Sequence, residues 1–60
     1  MSRDLAEAFI EGLQAGNLNL PAGVNRYELG TPEHAEWERG RMQAQAQLLD
    51  RRVEAARRVA

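Results

Sequence analysis

Sixty residues allow at most one small domain, and a chain this short buries only about 60% of its unfolded surface, so its core must be thin. With 43% hydrophobic residues, mostly alanine and leucine, and 28% charged residues, the composition is that of a soluble helical protein rather than a disordered one. The absence of cysteine excludes a disulfide framework and a thiolate metal site, and a net charge of −1 argues against a simple electrostatic nucleic-acid binder.

Residues 3–15 read as a first helix. Ser2 is placed to accept hydrogen bonds from the first-turn amides, and Asp4 suits the positive helix end. Leu5, Phe9 and Leu13 recur every four residues, with Ala6 and Ile10 beside them, and form one apolar stripe. Ala8, Gly12 and Gly16 follow the same spacing and leave another side nearly bare, so a second backbone can approach there. Gly12 in an isolated helix costs about 1 kcal/mol relative to alanine, which implies a packing reason for it. Gly16 followed by Asn17 is the expected helix stop.

Residues 16–31 show neither helical nor strand periodicity and include Pro21 and further glycines. A structureless connection of this length is uncommon in a compact domain. Leu18, Leu20, Val24, Tyr27 and Leu29 are therefore expected to fold back and cover the helices.

The second helix has the strongest local signal. Thr31 serves as N-cap, Pro32 takes the first helical position, and Glu33 and Glu36 fall in or just after the first turn. No Gly or Pro follows Gly40, and good helix formers continue to about residue 57. At ~1.5 Å per residue this helix spans about 38 Å against about 20 Å for the first, so one cannot cover the other. The overhang carries Leu48, Leu49, Val53, Ala56 and Val59, an apolar edge with no evident cover in the same chain. The expected fold is thus an all-α two-helix hairpin in one domain of residues 1–60, with a long ordered loop and a second helix longer than the first. Gly12, Gly16, Tyr27, Trp37 and Gly40 define it, with the glycines facing each other or receiving the Trp37 or Tyr27 ring.

Charge is divided along the chain. Met1 to Glu38 carries seven acids and two arginines, whereas Arg39 to Ala60 carries six arginines and two acids. The early acids and late arginines suit the helix macrodipole as a solvated face. Arg51, Arg52, Arg57 and Arg58 lie on overlapping faces and equally fit a grip on phosphate or an acidic protein surface. The candidate partner-binding set is Arg41, Leu48, Leu49, Arg52, Val53 and Arg57.

Catalysis and cofactors find no support in these residues. His34 is the single histidine, beside Glu33 in a first helical turn, and Ser2 and Thr31 both serve as caps. One histidine without spaced carboxylate partners on its face makes a poor metal site. No apolar run approaches the roughly 20 residues needed to cross a bilayer, and no signal-peptide pattern opens the chain, so a cytoplasmic, non-enzymatic protein is expected.

Gly12-Leu13-Gln14-Ala15-Gly16, then Asn25-Arg26-Tyr27, then Trp37-Glu38-Arg39-Gly40 resemble the ribosome modulation factor family of bacteria and their phages. That family shows a G-x-x-x-G helix, an N-P-Y or C-P-Y loop element and a W-x-x-G-W helix start, and the likeness spans about residues 9–45. The resemblance implies a two-helix fold with an ordered connection and, for family members, small-subunit binding that promotes ribosome dimerisation and hibernation. Arg26 stands where the family has its loop proline, Arg41 where it has a second tryptophan, and the acidic first half replaces a basic one. Phosphate neutralisation carries ribosomal RNA contacts. A host protein is therefore favoured over ribosomal RNA as partner, in a phage- or mobile-element-type inhibitor that forms a dimer.

Overall fold

The computed structural model describes residues 2–59, with side chains described from residue 5 to residue 58. Helix α1 spans Ser2–Asn17, a short 3-10 turn covers Ala22–Val24, and helix α2 spans Pro32–Val59. The two α-helices pack against each other and the connection closes one end of the hairpin. With 16 and 28 residues they are about 24 Å and about 42 Å long. The long helix sets the molecule's extent of 47 × 21 × 15 Å. No described helix is long and apolar enough to cross a membrane. The capping expected of Ser2, the first-turn role of Asp4 and the Val59 side chain lie outside the described side chains.

Small residues make the seam. Ala8, Ala15, Trp37 and Ala44 are buried, together with Gly12, Gly16 and Gly40. The stripe of Leu5, Phe9 and Leu13 is only half-buried and flanks this contact, while Ala6 and Ile10 are exposed; the nearly bare side of Ala8, Gly12 and Gly16 is where the second backbone approaches. The atoms nearest to each seam glycine are backbone atoms of the opposite helix: for Gly12 the Trp37 carbonyl, for Gly16 the Arg41 carbonyl, and for Gly40 the Phe9 carbonyl. A methyl at Gly40 would lie 2.9 Å from the Leu13 nitrogen, and one at Gly16 would lie 2.6 Å from Ala44 Cβ. With hydrogen in place of that methyl, the Cα–H bonds point at carbonyl oxygens, an arrangement that adds weak Cα–H···O attraction to close van der Waals contact.

Helix α1 does not stop at Gly16. Asn19 adopts the left-handed conformation (φ 58°) and ends it. Its amide donates to the Gly16 carbonyl (3.0 Å), and the Leu20 amide donates to the Ala15 carbonyl (2.9 Å), the paired bonds of a Schellman cap. Asparagine tolerates this conformation because its short polar side chain bonds locally. Gly16 is thereby kept inside the helix, where the seam needs it.

The start of α2 matches expectation. Thr31 Oγ1 accepts from the His34 amide at 3.1 Å and donates to the Glu28 carbonyl at 2.6 Å, so one hydroxyl caps the helix and ties it to the loop. Gly30, at φ 90°, supplies the turn just before it.

The loop is held by polar clamps rather than by the apolar cover expected of it. Leu18, Leu20, Val24 and Leu29 are exposed, Leu29 to 82%, and only Tyr27 packs against the cluster of Ala8, Ala15 and Trp37. Asn25 Oδ1 accepts from the Tyr27 amide (3.0 Å), while its Nδ2 donates to the His34 carbonyl (3.3 Å). Arg26 forks onto Glu11 through Nε and Nη2 at 3.0 and 2.9 Å. Its guanidinium also lies 4.5 Å from the centre of the Tyr27 ring.

Candidate interaction surface

Helix α2 offers two different faces beyond the seam. Trp37, Gly40 and Ala44 point at α1. At ~100° per residue, Met42, Ala46, Leu49, Val53 and Ala56 fall roughly opposite them. All five are exposed, Met42 and Leu49 to 61% and Val53 to 42%. Their spacing alternates four, three, four, three, which keeps one apolar line along a helix.

A second surface lies beyond the end of α1. Leu48 is half-buried there, and with Asn19, Gln45, Leu49 and Arg52 it lines an open recess of about 230 Å³. The Gln45 amide reaches Asn19 Oδ1 at 3.5 Å across it. Arg51, Arg57 and Arg58 are exposed on the last turns of α2; at ~100° per residue Arg57 falls beside the outer line, and Arg51 and Arg58 on the opposite side of the helix.

Six residues were singled out by sequence for partner binding, and they divide among these surfaces. Leu48, Leu49 and Arg52 meet in the recess, Val53 and Leu49 share the outer line, and Arg57 is exposed beyond both. Arg41 stands apart. Its side chain is only 17% exposed and donates to Glu38 (3.3 Å) and Gln45 (3.2 Å), while its buried Nε has no hydrogen-bond partner. Met42, Ala46 and Asn19 were not foreseen as part of any surface. Carrying the four-three spacing backwards from Val53 and Leu49 finds the first two; Asn19 joins only through the cap geometry.

The side of the hairpin that carries the loop holds a third feature. Glu7, Arg26, Tyr27 and Glu33 line a recess of about 280 Å³. The hydrogen bonds from Arg26 hold the Glu11 carboxyl below the usual carboxylate range, and the same ion pair raises the Arg26 guanidinium. The Tyr27 phenol is pushed up, first by desolvation and then by its hydrogen bond with Glu11. These shifts favour one protonation state, with Glu11 and Arg26 charged and Tyr27 neutral, which is the state that keeps the clamp closed.

The hydroxyl and imidazole of this region have structural partners. Thr31 Oγ1 is engaged as the cap, and His34 Nδ1 lies 3.1 Å from the Tyr27 carbonyl, which fixes Nδ1 as the protonated nitrogen. Among the described residues no three of His, Cys, Asp or Glu are grouped to hold a metal ion.

No protein-family model matches the chain, and no curated protein or solved structure shows significant similarity to it.

Proposed function

We propose that this chain is a small non-enzymatic interaction protein that binds and modulates a host macromolecule, a protein in preference to ribosomal RNA, through its long second helix. One observation carries the reading. Every described side chain from Leu49 to Arg58 is exposed, and that stretch combines Leu49 and Val53 with Arg51, Arg52, Arg57 and Arg58. An apolar line flanked by Arg52 and Arg57 suits a groove with an acidic rim, because the apolar residues anchor and these two arginines orient. The recess around Leu48 adds a concave contact beside the convex helix.

The same four arginines favour a second reading, that of a ribosome-binding translation modulator in the manner of the family the sequence resembles. Exposed arginines fit phosphate as well as carboxylate. Against it stand Glu33, Glu36 and Glu38 on the same helix, which repel a phosphate backbone.

The deciding experiment uses the immobilised chain and a triple variant, Leu48→Ser with Leu49→Ser and Val53→Ser, against lysate from its native host. Discrete proteins retained by the parent and lost from the variant support the leading reading. Equal recovery on both overturns it. Co-sedimentation with ribosomes at low salt, lost as salt rises, would establish the second reading instead.

A further inference from the structure

The outer line of α2 and the division of charge along the chain fit one occupant. We propose that the exposed face of Met42, Ala46, Leu49, Val53 and Ala56 is a self-association surface. A second copy of this chain lies on it antiparallel, with Ala46 of each copy beside Leu49 of the other. This rests on the reading of α2 as an interaction helix and names one of its partners.

The face is reachable because α1 covers the opposite side of α2. Alternating four- and three-residue spacing is the repeat that lets two helices keep one seam in contact over successive turns. In the proposed register each layer sets a larger side chain against a smaller one. Met42 faces Val53, Ala46 faces Leu49, and the two-fold axis repeats both layers, so the seam fills evenly. Arg39, next along the line, is drawn away from it. Glu36 holds it at 2.8 Å, and its guanidinium lies 5.7 Å from the centre of the Phe9 ring on α1.

Charge selects this register among the alternatives. Beside the seam it places Arg57 near Glu36 of the second copy, Asp50 near Gln43, and Gln45 near Arg52, with no like-charged pair. A parallel pairing stacks Arg39 on Arg39 and sets Arg52 against Arg57. Sliding the antiparallel pair one heptad outward opposes Asp50 to Asp50 and Arg52 to Arg52. Sliding it one heptad inward brings Arg39 onto Leu49 and Asp50 beside Glu36. Over the whole helix, the antiparallel arrangement brings the arginine-bearing end of each copy level with the acid-bearing start of the other. Such complementarity specifies orientation more than it adds affinity. A seam of so few layers belongs at the small end of interfaces, so the dimer forms in a concentration-dependent way.

The absence of cysteine makes orientation directly measurable. Analytical ultracentrifugation across a concentration series should show a monomer–dimer equilibrium, and Leu49→Asp should shift it to monomer with the far-UV circular dichroism of the dilute protein unchanged. On mild oxidation, an equimolar mixture of Met42→Cys and Val53→Cys chains should give a disulfide-linked heterodimer. Either variant alone should stay unlinked, because in this register its two thiols lie about 16 Å apart along the axis at ~1.5 Å per residue. Linking of each variant with itself would establish a parallel pair and overturn the proposal. A parent chain that remains monomeric at every concentration would overturn it as well. The parent reading fails separately, through unchanged host-protein recovery on changing Leu48, Arg51 and Arg58, which lie off this seam.

Discussion

Three hydrogen atoms, on Gly12, Gly16 and Gly40, set how close the two helices can come. Each occupies a place where the first carbon of any side chain would collide with backbone of the facing helix, and backbone in the middle of a helix cannot rotate away. An alanine at Gly12 or Gly40 gains intrinsic helix propensity of about 1 kcal/mol but must push the helices apart. Overpacking of this kind costs about 1–3 kcal/mol, and here the displaced group is a carbonyl rather than a flexible side chain. Separation also loosens the burial of Trp37, the one large side chain in the buried cluster. We expect Gly12→Ala and Gly40→Ala each to lower the thermal midpoint substantially. Gly23→Ala, at a position with nothing within 4 Å of the added methyl, should leave it unchanged or slightly raised. Thermal unfolding followed by circular dichroism reads all three. Equal midpoints for Gly12→Ala and Gly23→Ala would show that the seam is not set by its glycines.

Among the elements, the loop depends most on particular polar contacts. Its apolar residues lie mostly in water, so Asn25, Arg26, Thr31 and His34 hold its path, and Tyr27 is its one apolar anchor. The Arg26–Glu11 fork joins loop to α1 and has a definite pH signature. Glu11 ionises more readily folded than unfolded, so as acid is added the unfolded chain takes up the proton first. The contribution of the clamp is present above the unfolded-state value and is lost as pH falls through the lower folded-state value. Glu11→Gln should therefore melt below the parent at neutral pH, and the gap should close in acid, below the ordinary glutamate range. A gap that persists undiminished in acid would assign the loss to packing rather than charge. Much of this element order was legible in the sequence. Thr31 followed by Pro32 marked the start of α2 because a hydroxyl cap and a preset φ act locally, within four residues. The end of α1 was misread because Gly16 and Asn17 are both turn formers, while the actual stop at Asn19 depends on Gly16 being wanted in the seam. The exposure of Leu18, Leu20, Val24 and Leu29 was not legible either, since hydrophobicity alone does not say whether a surface is left to receive it. Close helix packing over glycine and alanine leaves little such surface.

For the whole molecule, the mismatch in helix length is the dominant fact. The inner side of α2 from Trp37 through Gly40 to Ala44 is buried against α1, Leu48 is half-covered, and from Leu49 to Arg58 every described side chain is exposed. Isolated helices shorter than about 12–15 residues are marginal in water, so the final turns of α2 have little to hold them except continuity with the supported part. Protection against amide hydrogen exchange should thus fall along α2. Amides around Gly40 to Ala44 should open only with global unfolding, and those from Arg51 to Arg58 should exchange many times faster in dilute solution. A second helix laid on the outer face changes that gradient without touching α1, because it covers Leu49, Val53 and Ala56 and holds the turns between them. Raising the concentration should slow exchange from Leu49 to Arg58 while amides near the α1 seam change little. Uniform protection along α2 in dilute solution would mean that the terminal turns need no partner. Slowing confined to the seam would place association on α1 instead of on the outer face of α2.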